Sequence, residues 1–156
     1  MDKGFAIYET EFGLFQFEYE DGKIVGIEKA DRDIMNKGLK TPLTDKAYQE
    51  LTEYFKGKRK EFSFPYALKG TEFQKKVWQA LCEIPYGETR TYKEIAIRIG
   101  NPKACRAVGL ANNKNPIMIA VPCHRVIGSG GKLVGYGGGI DMKKNLLDLE
   151  KTNRFL

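Results

Sequence analysis

The sequence predicts an α/β protein of the segregated, α+β kind: a small N-terminal alpha/beta domain with an antiparallel sheet, then a mostly helical C-terminal domain containing a helix-turn-helix. Three observations predict it. The first thirty residues alternate apolar and polar, and from Thr71 onward apolar residues recur at helical spacing behind good N-caps. The excess positive charge is also segregated: residues 1 to 69 carry 12 basic and 13 acidic side chains, residues 70 to 156 carry 14 and 7. The division is placed at 1–65 and 66–156, with Phe62-Ser63-Phe64-Pro65-Tyr66 leading into Gly70-Thr71 as the linker.

Leu14, Phe15, Phe17 and Tyr19 alternate with polar residues, break at Asp21-Gly22, and resume through Ile24, Val25 and Ile27, which predicts a hairpin closed by an Asp-Gly turn. From Thr44 as N-cap, Ala47, Leu51, Tyr54 and Phe55 fall on one helical face up to Gly57, an amphipathic helix of about three turns. Thr71 caps a helix through Phe73, Val77, Trp78 and Leu81 that stops at Ile84-Pro85-Tyr86-Gly87. Thr91-Tyr92-Lys93-Glu94 matches a capping box and opens a short helix ended by Gly100. Asn101-Pro102 then restarts the chain, Asn as N-cap and Pro at the first helical position, giving a second helix to Ala111 that presents Arg106. Two short helices across a tight glycine turn form a helix-turn-helix pattern. A last helix runs through Met142, Leu146, Leu147 and Leu149 to Glu150.

With 156 residues, 42% of them hydrophobic, the chain has enough material for real cores and is too balanced for disorder. Its three cysteines, Cys82, Cys105 and Cys123, are an odd number with no Cys-x-x-Cys pair, which argues against a disulfide scaffold and for a reducing, intracellular setting. A single His and scattered Cys make a structural zinc site unexpected. The longest apolar run, Ile117 to Val121, and the start Met1-Asp2-Lys3-Gly4 predict neither a membrane span nor a secretory signal. Within residues 91 to 132 Glu94 is the only acid, against Lys93, Arg98, Lys103, Arg106, Lys114, Arg125 and Lys132. Such a face is either a solvated surface or the footprint of a polyanion, nucleic acid first.

Pro122-Cys123-His124-Arg125-Val126 follows the apolar, partly β-branched Ile117–Val121, read as a buried strand. Cationic neighbours and a stiff approach suit a reactive thiolate, and the alternative is a half-buried cysteine acting as a small hydrophobe. On an extended segment His124 points away from Cys123, so activation by His124 needs a bridging water or a change in backbone direction. The runs Gly128-Ser129-Gly130-Gly131 and Gly135-Tyr136-Gly137-Gly138-Gly139 lack a phosphate-loop spacing and fit better with backbone N–H groups brought close to a flat ligand.

Taken in order, Gly70-Thr71-x-Phe73-Gln74-x-x-Val77-Trp78, Ile84-Pro85-Tyr86-Gly87-x-Thr89, Thr91-Tyr92, Gly100-Asn101-Pro102, Arg106-Ala107-Val108-Gly109, Asn115-Pro116, Pro122-Cys123-His124-Arg125-Val126 and Gly135-Tyr136-x-Gly138-Gly139 resemble the O6-alkylguanine-DNA alkyltransferases, or methylated-DNA–protein-cysteine methyltransferases. The resemblance covers residues 70 to 150. The N-terminal half matches only by position, as the variable domain before the active-site domain.

The resemblance implies DNA repair by direct damage reversal. Cys123 would take the alkyl group from O6 of guanine in an irreversible, stoichiometric transfer after the base is rotated out of the duplex. His124 would receive the thiol proton through a water, with Glu150 orienting it. Tyr92 would crowd the phosphate and offer a proton to N3, and Asn115 would tie the cysteine turn together. Arg106 would fill the vacated stack, and Thr91, Tyr92, Ala107, Asn112 and Arg125 complete the implied DNA-contacting set. The pocket would comprise Val126, Tyr136, Gly137 and Met118, with the Cys123 and Val126 carbonyls taking the guanine amino group. Two positions depart from some members: Asn112 replaces an apolar residue and Met118 a proline, which bears on pocket shape and tolerance of bulky alkyl groups. The zinc site of some members needs Cys and His that residues 1 to 69 lack, so no metal and no cofactor are implied. The protein is expected to be a monomer, with double-stranded DNA as partner, no membrane association, and a cytoplasmic location, or a nuclear one in a eukaryote. The rival readings are a binding module that flags the lesion without the cysteine chemistry, a methylation-switched regulator, and a Cys–His hydrolase.

Overall fold

The computed structural model describes residues 2–156 and divides into two compact units, Met1–Lys69 with Pro116–Ala120, and Gly70–Asn115 with Val121–Leu156. The junction falls four residues later than the sequence placed it, and a five-residue segment returns to the first unit. Phe62–Tyr66 is not a free linker. Tyr66 forms a parallel bridge with Ile24, and Ser63 donates from Nα and Oγ to Glu50 at 2.7 and 2.8 Å.

The first unit is an antiparallel meander, β1 (Lys3–Thr10), β2 (Gly13–Glu20) and β3 (Lys23–Lys29), covered by helix α1 (Pro42–Phe55). The expected hairpin is β2–β3, closed by Asp21 (φ 50°) and Gly22 (φ 79°), the left-handed pair that a tight hairpin requires. One more strand, β1, precedes it. Phe15 and Phe17 alternate with Gln16 and Glu18, so one face of the sheet buries against Ala47, Leu51, Tyr54 and Phe55. The fully buried Phe15, Phe17 and Leu51 each contribute about 1.5–3 kcal/mol. The N-cap of α1 is Thr41, not Thr44: Pro42 takes the first turn, where its missing N–H costs nothing, and Thr44 closes a capping box as N3.

The returned segment is not a strand. Ile27 and Ile117 form one parallel bridge, and then Ile119 turns at φ 75° with Ala120 N–H donating to Met118 O at 2.8 Å. A positive-φ γ-turn at a β-branched residue is strained, at about 1–3 kcal/mol, and burial of Ile119 holds it.

The second unit is mostly helical: α2 (Glu72–Cys82), α3 (Tyr92–Arg98), α4 (Cys105–Asn113) and α5 (Ile140–Asn153), with β4 (Arg90–Thr91) and β5 (Val126–Ile127) as a short parallel ladder. Thr71 and Thr91 cap α2 and α3, each in a capping box. Trp78 Nε1 donates to Ala111 O at 2.9 Å and ties α2 to α4. The helix-turn-helix is α3 and α4, but α4 begins four residues after the expected Asn101 cap. Asn101 N–H is committed to Ala96 O, and Gly100 N–H (φ 83°) to Ile97 O, the two bonds of a Schellman stop for α3. A turn closed by Ala104 N–H on Asn101 O at 3.0 Å intervenes before α4, which has no side-chain cap.

Candidate active site

Cys123 lies on a 3-10 turn, Cys123–Arg125, entered through Pro122 at φ −82°, ψ 64° with Cys123 N–H on Val121 O at 2.8 Å. This inverse γ-turn followed by a 3-10 turn is the change in backbone direction that an extended reading of the segment lacked. All three residues of the turn, Cys123, His124 and Arg125, are buried.

There His124 Nε2 meets Glu150 Oε2 at 2.6 Å. Arg125 donates Nε and Nη2 to the same carboxylate at 2.8 and 3.0 Å and Nη1 to Ile84 O at 2.7 Å, and Gly87 N–H reaches Glu150 Oε1 at 3.1 Å. Gly87 adopts φ 83°, which places its N–H there and suits glycine. Burial alone would raise the Glu150 pKa, but the hydrogen bonds and charges of His124 and Arg125 outweigh it and hold the carboxyl well below the usual range. An ionised carboxylate only accepts, so Nε2 of His124 carries the hydrogen and the buried Nδ1 carries the lone pair. Burial lowers the His124 pKa against the pull of Glu150, so the imidazole is neutral.

The thiol of Cys123 is pushed up to about 11 by burial, opposed by a hydrogen bond from Asn115 and by the Lys143 ammonium. Asn115 Nδ2 also donates to Val121 O at 2.7 Å, bracing the approach to the cysteine. Asn112 Nδ2 faces Cys123 O at 3.4 Å. Tyr92 Oη donates to Val134 O at 3.0 Å, and burial, then the nearby Cys123, raise its pKa. Lys143 is fully buried: its Nζ donates to Val134 O at 3.0 Å and lies 6.0 Å from the Tyr92 ring centroid. The Tyr136 ring stands edge-on to His124 at 6.5 Å, with its hydroxyl buried. A cleft of about 420 Å³ is lined by Tyr92, Arg106, Gly109, Val134 and Gly135 among others.

The structure therefore brings Cys123, His124, Glu150, Asn115, Tyr92 and Tyr136 together in one unit, with Val126 buried in the β5 ladder. Arg106 and Ala107 are exposed on α4, Gly137 is exposed, and Thr91 Oγ1 accepts from Glu94 N at 3.1 Å as the α3 cap. Two expected DNA contacts are corrected. Arg125 is buried, and its guanidinium is spent on Glu150 and Ile84. Asn112 is 1% exposed and turned toward the cysteine, not outward with Arg106 and Leu110. Met118 lies on the returned segment, its N–H on Ile27 O at 3.0 Å. Sequence reasoning missed Lys143, which sits beside another lysine in a helix with charged neighbours and gives no sign of burial.

Residues 72–152 match the family described as 6-O-methylguanine DNA methyltransferase, DNA binding domain, and residues 4–68 its ribonuclease-like domain. The chain belongs to the 6-O-methylguanine DNA methyltransferase family. The methylated-DNA–protein-cysteine methyltransferase of Methanosarcina barkeri is 64% identical over 107 residues, 69% of this chain and 68% of that one. The crystal structure of Mycobacterium tuberculosis OGT in complex with DNA is similar with a TM-score of 0.86 and 45% identity, over 96% of this chain and 93% of that one. The M. tuberculosis O6-methylguanine methyltransferase structure gives 0.83 and 42% over the same shares. This likeness spans both units, including the N-terminal one whose sequence carries no motif. Among the described residues no helix is long and apolar enough to cross a membrane, and no group of metal-binding side chains is present.

Proposed function

We propose that this chain reverses O6-alkylguanine damage in duplex DNA by a single transfer of the alkyl group to Cys123. The observation that carries the reading is a buried cysteine on the same 3-10 turn as a buried histidine whose Nε2 lies 2.6 Å from Glu150 Oε2. Sγ forms a bond to the alkyl carbon as the bond from that carbon to O6 breaks. The thiol proton passes through a water to Nδ1 of His124, and Tyr92 Oη gives its proton to N3 of the departing guanine. Guanine leaves neutral, the thioether stays on Cys123, and His124 returns its proton to Tyr92 by way of solvent.

A resting pKa near 11 keeps the thiol protonated and unreactive until a base is seated, when proton removal and displacement proceed together. Tyr92 exchanges its bond to Val134 O for one to N3. No step restores the thiol, so each molecule acts once, as a monomer, in the compartment that holds the DNA. Exposed Arg106 on α4 enters the stack, offsetting roughly a few kcal/mol of unstacking. Arg106→Ala is expected to slow transfer from duplex more than from single-stranded DNA. Binding rests on phosphate contacts and weakens steeply with salt.

Intact-mass spectrometry after incubation with a duplex carrying one O6-methylguanine tests the reading. The expected result is a gain of one methylene, stoichiometric with repaired base and absent in Cys123→Ser. Lesion DNA bound with no change in mass would instead make the protein a lesion-flagging module.

A further inference from the structure

The basic side chains between residues 91 and 132 are exposed except one, Arg125, which is buried. Burial removes it from any DNA-facing surface, and the proton relay from Cys123 to His124 does not use it. Its guanidinium is nevertheless held from several sides. Nε and Nη2 fork onto the two oxygens of Glu150, Nη1 donates to Ile84 O, and the Tyr86 ring centroid lies 5.6 Å away. The fork shares Oε2 with His124 Nε2, so a cation, a carboxylate and an imidazole meet at one buried atom. Charge decides what that meeting does. Glu150 and Arg125 together are neutral, so a proton added to His124 would be an uncompensated buried cation. Without Arg125, Glu150 would lack a counter-charge, and a protonated His124 would supply it.

The other groups around the imidazole do not reverse this sign. From α5, Lys143 adds a second positive charge that, like Arg125, lowers the His124 pKa against the pull of Glu150. Tyr136 in the glycine-rich loop and Tyr86 after α2 are phenols that burial keeps protonated, and Cys123 on the same turn stays a thiol. Resting on the function proposed above, we propose that Arg125 is a positioning residue for the base: as the permanent counter-ion of Glu150 it keeps His124 unprotonated, with the Nδ1 lone pair ready for the Cys123 proton. Glu150 then orients the imidazole without charging it. A carboxylate paired with His124 alone would hold a proton on the ring near neutral pH and leave no lone pair for the thiol. The role belongs to the charge, so a lysine restores it and a neutral side chain of similar length does not.

The chain has one histidine, so its imidazole NMR signals belong to His124 without further assignment. The test follows the His124 ring signal with pH, and over the same range the single-turnover rate on an O6-methylguanine duplex, read by intact mass. It compares the wild type, the neutral Arg125→Met and Arg125→Gln, and the charged Arg125→Lys. The wild-type ring is expected to stay neutral down to below about pH 6.5. In the neutral variants the ring midpoint should rise by about one pH unit or more, and the acid limb of the transfer rate should rise with it. Transfer is then mostly lost at about pH 6 and largely recovered at about pH 8. Arg125→Lys should return both midpoints more than half of the way to the wild type. Slowing by the same factor at every pH, with the ring titrating as in the wild type, overturns the proposal and leaves Arg125 a purely structural ion pair. A wild-type ring midpoint above about pH 7 overturns it without any variant, whether or not the variants fold. No mass gain by the wild type overturns the underlying reading instead, and the ring titration, which needs no transfer, separates the two failures.

Discussion

The two units treat buried polarity in opposite ways. In the first, Glu50 accepts from Ser63 N–H and Oγ and pairs with Lys46 and Arg59, while Tyr8 Oη donates to Asp45 at 2.5 Å and meets Thr44 at 2.8 Å. In the second, a saturated carboxylate at Glu150 lies in the same unit as a thiol forced to stay protonated and the vacant atoms of Asn112 and Tyr136. A satisfied polar network fixes one structure. A network satisfied on one side only marks where something else is to bind, and that difference separates a scaffold from a site.

The largest expected effect comes from removing the two central carboxylates. Glu150→Ala leaves the buried Arg125 guanidinium uncompensated and should destabilise the second unit by about 3–5 kcal/mol. Glu50→Ala strands Ser63, but Lys46 and Arg59 stay hydrated, so about 1–3 kcal/mol is expected. Trp78 is the only tryptophan and sits in the second unit, so its fluorescence in urea reports the first variant directly. Equal midpoints for the two variants would erase the contrast.

Acid should separate the units too. The depressed Glu150 and Glu50 carboxyls contribute stability that is present above about pH 4.3 and lost as pH falls toward their folded values. His124 adds a limb in the second unit alone. Buried neutral, it refuses the proton that the unfolded chain takes up below about pH 6.5, so stability begins to fall there. Trp78 fluorescence should show this early limb in the wild type and not in His124→Gln.

What was legible in the sequence was local. Asp21-Gly22, the capping boxes at Thr71 and Thr91, and the Gly100 stop each act within a few residues, and each was readable. Pro42, at the first helical position, marks the true start of α1. The approach to Cys123 is not legible locally: an apolar β-branched run has the pattern of a strand, whereas the γ-turns at Ile119 and Pro122 depend on the packing around them. The burial of Arg125 and Lys143 depends on partners 25 and 9 residues away, Glu150 and Val134, which no local pattern announces.

Lys143 gives a smaller test. Its ammonium favours the thiolate, so Lys143→Met should raise the Cys123 pKa and slow iodoacetamide modification at pH 9 by about three- to tenfold, the effect of up to one pKa unit. Peptide-level mass analysis distinguishes Cys123 from exposed Cys82, whose rate should not change.

The smallest expected effect is also the most discriminating between scaffold and site. Thr41 and Thr91 hold equivalent capping boxes, each accepting from the N3 backbone N–H at 3.1 Å. Removing either hydroxyl by Thr→Ala should cost about 1 kcal/mol of stability. The stability losses should therefore match, and the transfer rates should not. Thr41 is followed by Pro42 and a helix that serves only the first unit's core, whereas Thr91 sets the first turn of α3, and with it the backbone of Tyr92. A loosened first turn shifts a phenol that, in the proposed mechanism, gives up its 3.0 Å bond to Val134 O for one to the base. Thr91→Ala should therefore slow transfer several-fold in a single turnover read by intact mass while Thr41→Ala leaves it unchanged; equal rates would place Tyr92 under the control of its ring packing against Lys143 rather than of its helix.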